Sequence, residues 1–150
     1  MTANPVFADS ATLEPMKVVG EDVFFLVDHS QTGNYEIYLH NGPEGAGPVH
    51  HSHPWDEAFY VIQGTVDFVA GDVKKTLGPG ELVHIPAGMR HSFKYVTPVQ
   101  ILSISTTDGA KKLFEKLTRL VPHKVDGLTH AQLEELKKGV SEGLGNVEVH

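Results

Sequence analysis

Residues 45–64 of the chain, GAGPVHHSHPWDEAFYVIQG, carry the pattern that decides the fold. His51 and His53 are two positions apart, and in a β-strand such residues point to the same face. The short, Pro-containing break before Glu57 lets the chain turn and start the next strand, which places that carboxylate beside the two imidazoles. Two histidines and one carboxylate make a facial set of ligands for a divalent first-row metal.

A second stretch, GELVHIPAGMRH at residues 80–91, ends in another histidine. A tight turn at residues 86–88 comes just before it. If the hairpin that contains this stretch packs against the first one, His91 becomes a fourth ligand. Three neutral imidazoles and one carboxylate leave two adjacent positions of an octahedron open for water, oxygen or substrate.

The two stretches resemble the two sequence motifs of the cupin superfamily. The first reads Gly45, five residues, His51-x-His53, three residues, Glu57, six residues and Gly64. The second reads Gly80, five residues, Pro86-x-Gly88, two residues and His91. Four residues after this last histidine the family often has Asn, where this chain has Tyr95, but no metal ligand is lost. Two long motifs in the right order are far more specific than a lone pair of histidines.

The resemblance implies an all-β fold, the double-stranded β-helix or jelly roll of the cupin barrel. It implies one divalent transition metal (Mn, Fe, Co, Ni or Zn), held by His51, His53, Glu57 and His91. In overall look the chain resembles small bacterial cupins of the quercetinase-like type. In these the residue that matches Glu57 is thought also to accept the substrate's proton, which makes Glu57 the candidate catalytic residue.

The first part of the chain reads as short strands separated by Gly- and Pro-rich turns, which is typical of a β-sandwich or barrel. The predicted strands are 23–28, 35–40, 49–53, 57–63, 65–70, 81–85, 91–95 and 99–105. After residue 108 the apolar residues recur at helical spacing and predict a helix over 110–121. A capping box at Thr129 predicts a second helix, ending at Gly143 or Gly145. We therefore expect a barrel over residues 1–108 and a helical extension over 109–150, packed on the barrel or on a dimer partner.

Aromatic and apolar residues on the predicted strands are candidates for a substrate pocket of flat or hydrophobic shape. The candidate substrate-binding residues are Tyr35, Tyr38, Phe59, Met89 and Phe93. The other face of strand 57–63 is also apolar, so we expect it to be covered, either by the C-terminal helices or by a second subunit. Because cupins often dimerise, the resemblance predicts a homodimer.

Composition excludes several classes of protein. The chain has ten histidines and no cysteine, which rules out disulfide scaffolds, iron–sulfur clusters and thiol catalysis. The net charge of −7 argues against a nucleic-acid partner. No apolar run is long enough to span a membrane and no targeting signal is evident, so the expected location is the cytoplasm.

These observations favour a metal-dependent dioxygenase that acts on a small enol- or phenol-type substrate. Two alternatives stay open. One is a metal-dependent isomerase, lyase or cyclase in which the ion only polarises a carbonyl. The other is a non-catalytic module that binds a small ligand, and a sugar site of that kind needs inward Asn, Gln, Arg or Lys. One fold hosts many reactions, so the metal and the substrate do not follow from the motifs alone.

Overall fold

The structure, a computed structural model, describes residues 4–120, 138 and 147–150. Within them the chain forms eleven strands and two helices. In chain order they are β1 (Met16–Val18), β2 (Glu21–Val27), α1 (His29–Thr32), β3 (Tyr35–Gly42), β4 (His51–Ser52), β5 (Glu57–Gln63), β6 (Val66–Ala70), β7 (Val73–Leu77), β8 (Leu82–Ile85), β9 (His91–Tyr95), β10 (Val99–Thr106), α2 (Gly109–Leu120) and β11 (Glu148–Val149). The prediction of an all-β jelly roll is confirmed.

Two antiparallel sheets face each other. One has six strands in the order β1-β2-β3-β10-β5-β8, and the other has five in the order β11-β4-β9-β6-β7. Strands β3 and β10 pair over their whole length, from Val99 opposite Gly42 to Thr106 opposite Tyr35. From β3 to β10 the chain passes back and forth between the two sheets, except for the β6–β7 hairpin within one of them, as in a jelly roll.

Side-chain alternation fills the space between the sheets. In β5, Glu57, Phe59 and Val61 are buried, while the residues between them are partly exposed or exposed. Inward residues of both sheets form one apolar core, in which the rings of Phe59 and Phe93 have centroids 5.2 Å apart. This period of two is the reason that the first part of the chain was readable as strands.

Helix α2 packs against the inner side of the six-stranded sheet near its β1 edge. Phe114 reaches the rings of Phe25 and Tyr38, with centroids 6.0 and 5.5 Å apart. Ala110 and Leu113 are the buried positions of this helix. The helix that the spacing predicts over 110–121 is therefore present at Gly109–Leu120. Of the helix predicted from Thr129, only Lys138 is among the described residues, and it is helical.

Three local predictions need correction. Strands β1 and β7 were not predicted, because β1 has three residues and β7 shows no alternation, with only Leu77 buried. The strand predicted over 49–53 shrinks to His51–Ser52, which meets β9 at a single pair of residues.

Among the described residues, no helix is long and apolar enough to cross a membrane.

Candidate metal centre

The four residues predicted as metal ligands lie at one end of the space between the sheets. His51 on β4 pairs directly with His91 on β9, and their ring centroids are 4.2 Å apart. Glu57 is the first residue of β5 in the opposite sheet, and His53 lies in the connection between β4 and β5. The backbone amide of Gly88 donates to the His53 carbonyl over 2.8 Å, which ties the turn before β9 to this connection.

Hydrogen bonds fix the orientation of all three imidazoles in the same way. The Nδ1 atoms of His51, His53 and His91 lie 2.8, 3.0 and 2.8 Å from backbone carbonyls of Val49, Trp55 and Met89. A carbonyl only accepts, so each Nδ1 carries the hydrogen and each Nε2 keeps its lone pair. The three rings offer ligand atoms within 4.8 Å of one another, and such a group can hold a metal ion.

The Glu57 carboxylate faces this group through one oxygen. Its Oε2 is 3.0 Å from His53 Nε2 and 3.5 Å from His91 Nε2. Neither contact is aligned as a hydrogen bond, and both Nε2 atoms are buried without a hydrogen-bond partner among the described residues. Two ligand atoms that each lie about 2.1 Å from an ion and at right angles are about 3.0 Å apart. The spacing and the orphaned nitrogens therefore fit a shared cation.

The other carboxylate oxygen of Glu57 is held by neutral donors. Its Oε1 accepts from the Tyr38 hydroxyl at 3.2 Å, the Ser105 hydroxyl at 3.2 Å and the Trp55 indole N–H at 3.3 Å. Tyr38 and Ser105 are also linked to each other over 2.6 Å. These contacts fix the side chain so that Oε2 alone points at the histidines.

Burial and charge set the protonation states. Burial opposes ionisation of Glu57, but the neighbouring His53 and His91 outweigh it and hold the pKa of its carboxyl well below the ordinary range. Burial, reinforced by His91, lowers the pKa of His51 from 6.5 to about 4. Burial and the Glu57 carboxylate raise the pKa of Tyr38 well above its ordinary value, so its O–H remains a donor. A neutral imidazole beside an ionised carboxylate is the state that a metal ion requires.

The predicted substrate residues divide into two groups. Phe59 and Phe93 occupy the inward positions directly after Glu57 and His91 on their strands, and Tyr38 contacts Glu57. Tyr35 is 42% exposed and lies on the outer face of β3, because its distance of three positions from Tyr38 reverses the side. Met89 is 36% exposed, and its backbone carbonyl rather than its side chain serves the site.

Two residues at the centre escaped the sequence analysis. The Trp55 ring stacks on His53 with centroids 4.1 Å apart and an angle of 4° between the planes, while its N–H reaches Glu57. Ser105 faces Glu57 from β10. A signal existed for Trp55, since it is the only tryptophan and lies two residues before Glu57. Ser105 could not be found in this way, because the sequence alone does not give the register of β10 with β5.

Comparisons with known proteins agree with this architecture. Residues 38–105 match the family model described as Cupin domain. The solved structure of KdgF from Halomonas sp. aligns with a TM-score of 0.64 and 19% identity, covering 69% of this chain and 94% of that one. An RmlC-like cupin from Shewanella frigidimarina NCIMB 400 aligns with a TM-score of 0.62 and 18% identity, covering 71% of this chain and 94% of that one. The polyketide cyclase RemF from Streptomyces resistomycificus aligns with a TM-score of 0.60 and 18% identity, covering 69% of this chain and 80% of that one. No curated protein sequence matches the chain significantly.

Proposed function

Because the matched domain and the shared fold support the cupin superfamily, we propose that this chain is a metal-dependent cupin enzyme, a dioxygenase acting on a small enol- or phenol-type molecule. The observation that carries the metal part is the set of three Nε2 lone pairs that converge beside one Glu57 oxygen. A divalent ion there would lower the pKa of a bound hydroxyl and polarise the substrate.

The choice of substrate class follows from the surroundings of the centre. In the described part of the chain, no buried side chain is Lys, Arg, Asn or Gln. The next layer inward consists of the rings of Phe59, Phe68 and Phe93, with centroids 5.0 to 5.5 Å apart. Such a wall suits a flat apolar molecule and, apart from the proposed metal ion, offers no cationic or amide side chain to a sugar phosphate or a dicarboxylate.

The main role proposed for Glu57 is that of a metal ligand. Three hydrogen-bond donors on Oε1 stabilise its anion and lower its basicity. The geometry therefore favours the ligand role over the further role of proton acceptor. Tyr38, Ser105 and Trp55 keep the carboxylate in position, and Trp55 also stacks on His53.

A cyclase or isomerase is the second candidate. The fold is shared with a protein described as a polyketide cyclase, and that reaction class needs no oxygen. The metal centre itself serves either chemistry, since polarising a carbonyl and activating an enol both use open ligand positions.

The metal is tested by elemental analysis of protein purified without added metal. We expect close to one equivalent of a transition metal in the native protein and in the control His29→Ala, whose histidine lies in α1 away from the centre. His91→Ala should hold less than a tenth as much. An equal content in His91→Ala and native protein contradicts the proposed ligands.

The reaction is tested with an oxygen electrode. The metal-loaded protein is offered flavonols, catechols and β-diketones, with His91→Ala as the blank. Oxygen uptake that depends on the substrate and on His91 supports the dioxygenase. Turnover under strict anaerobiosis with zinc in the site supports the cyclase or isomerase instead.

We also propose that a second copy of the chain covers the outer face of the six-stranded sheet. The outward positions of β3, β10, β5 and β8 carry no Lys, Arg, Asp or Glu, although 21% of the chain is charged. They include a cross-strand row of Leu39, Leu102, Tyr60 and Leu82, in which Leu39 is already buried and Tyr60 and Leu82 are exposed. The outer face of the other sheet, by contrast, carries Asp67, Lys74 and Lys94.

Helix α2 does not cover this face, because it packs on the inner side of the sheet. Val147, where the described chain resumes, is buried with Trp55 and Leu113 on that same inner side. A charge-free patch is complementary to itself, which suits a two-fold dimer of a chain with net charge −7. Light scattering after size exclusion should give a dimer for native protein and Lys74→Glu, and a monomer for Tyr60→Lys. A native monomer contradicts the proposal.

A further inference from the structure

Three buried polar atoms outside the set of candidate metal ligands have no hydrogen-bond partner among the described residues, and two of them, on His40 and Ser103, lie deeper between the sheets than the metal centre. His40 Nε2 and Ser103 Oγ have no hydrogen-bond partner among the described residues, and their residues are 2% and 0% exposed. A buried polar group without a partner costs about 1–3 kcal/mol. Native cores rarely leave such groups unpaired, so each atom indicates a ligand or an ordered water.

The two residues are diagonal neighbours on the inner face of the six-stranded sheet. His40 is on β3 opposite Ile101 of β10, and Ser103 is two residues further along β10. Diagonal neighbours of this kind have Cα atoms about 7–8 Å apart, within reach of a long side chain. The His40 ring reaches across β10, because its centroid is 6.2 Å from that of Phe59 on β5, and Phe59 pairs with Ser103. Ser103 is the small residue over which the imidazole extends.

A carboxylate fixes which hydrogen the imidazole presents. His40 Nδ1 is 3.0 Å from Glu21 Oε1, and the other oxygen of Glu21 accepts from the Tyr95 hydroxyl at 2.5 Å. A carboxylate with that donor already bound accepts from Nδ1–H, so Nε2 of the neutral ring is an acceptor. The Tyr95 hydroxyl therefore holds the Glu21 carboxylate in position.

We propose that His40 Nε2 and Ser103 Oγ form a hydroxyl-binding subsite, in which one O–H donates to the imidazole and accepts from the serine. The subsite is deeper in the barrel than the metal centre, since Ser103 precedes Ser105 by two residues, or about 7 Å along the strand. The rings of Tyr38, Phe59 and Phe114 surround the imidazole, with centroids 5.2 to 6.2 Å from it. Its ligand is a hydroxyl in an apolar setting, carried by a phenol-type substrate or by water.

This inference rests on the proposed function in one respect only, which is the choice of phenol as the probe. It is tested by ¹⁵N NMR of the histidine-labelled protein as purified, which reads His40 Nε2 directly. Phenol is titrated against toluene, which has the same shape without the hydroxyl. We expect phenol, and not toluene, to shift the Nε2 resonance in the direction of a stronger hydrogen bond. A crystal soaked with phenol should show its oxygen bridging both atoms.

Variants separate the subsite from general packing. Ser103→Ala should weaken phenol binding about fivefold, the value of one hydrogen bond. Ser103→Thr should restore it, and Ser92→Ala, a serine on the outer face of β9, should leave it unchanged. If Ser103→Ala does not fold, the comparison of Ser103→Thr with native protein and the toluene control still reads the subsite.

The outcomes distinguish the two sources of the hydroxyl. A hydrogen-bonded Nε2 before any addition, insensitive to phenol and lost in Ser103→Ala, assigns the hydroxyl to bound water and supports the subsite. An unbonded Nε2 with and without phenol overturns the proposal, as does a resonance unaffected by Ser103→Ala. Failure of the metal or oxygen assays leaves this readout unaffected, so the two proposals fail separately.

Discussion

The protonation of His51 predicts how the stability of the metal-free protein depends on pH. Burial and His91 lower the pKa of this imidazole from 6.5 to about 4. Between these values the unfolded chain binds a proton that the folded chain rejects, so stability falls as the pH falls. The stabilisation that comes from keeping His51 neutral is fully present above pH 6.5. From pH 7 to pH 4.5 the loss is about 2.5 kcal/mol for this one group, with one pKa unit worth about 1.4 kcal/mol.

The carboxyl groups with shifted pKa values act mainly outside this window or against it. The pKa values of Asp28, Glu81 and Asp108 are lowered, so their contribution is lost only in more acidic solution. The pKa of Glu57 lies well below 4.5, so its stabilisation is present above pH 4.5 and is lost only in more acidic solution. Burial raises the pKa of Glu36, so its contribution is lost as the pH rises through its folded value. The slope above pH 5 therefore belongs largely to His51.

The assay is urea unfolding of protein stripped with a chelator, followed by the fluorescence of Trp55, the only tryptophan. His51→Asn is the comparison, because its amide N–H can keep the bond to the Val49 carbonyl. We expect the native free energy of unfolding to drop about 2.5 kcal/mol more than that of the variant between pH 7 and pH 4.5. Parallel curves for the two proteins refute the reasoning.

Three further outcomes are expected. Trp55→Phe removes the N–H that holds Glu57 and should lower metal affinity about 10- to 100-fold by isothermal titration, with unchanged far-UV circular dichroism. Gly42→Ala should cost about 1–3 kcal/mol in urea unfolding, because a methyl group there overlaps the Tyr95 ring, while Gly78→Ala, which meets only a distant carboxylate, should cost under 1 kcal/mol. Adding metal at about a thousand times its Kd should stabilise the stripped protein by about 4 kcal/mol, and no shift in the urea midpoint contradicts a native-state site.

The grouping of His51, His53 and Glu57 was predictable because their spacing is local, whereas His91 joins them only through the pairing of β9 with β4. Histidines two apart on a strand share a side, and the Pro-containing break brings Glu57 to the start of the next strand. The structure places His51, His53, Glu57 and His91 together as that reasoning expected. The helix over 110–121 was equally legible, since its apolar period of 3.6 needs no tertiary information.

The two serines that were missed depend on pairing between distant strands, while the other failures are local. Ser105 reaches Glu57 only through the register of β10 with β5, and Ser103 shares the core with His40 only through β10 with β3. Tyr35 was placed in the pocket although its parity put it outside, which a count along β3 from Tyr38 shows at once. Strand β7 carries exposed lysines, a typical protection of an edge, and so lacked the apolar signal.

The candidate ligands come from both layers of the barrel, with His51 and His91 in one sheet and Glu57 in the other. An ion bound there would act as a reversible cross-link, closing a loop of about forty residues between the two histidines. Because the sheets must separate before the chain can unravel, occupancy would show most clearly as slower unfolding and slower amide exchange in β5 and β9.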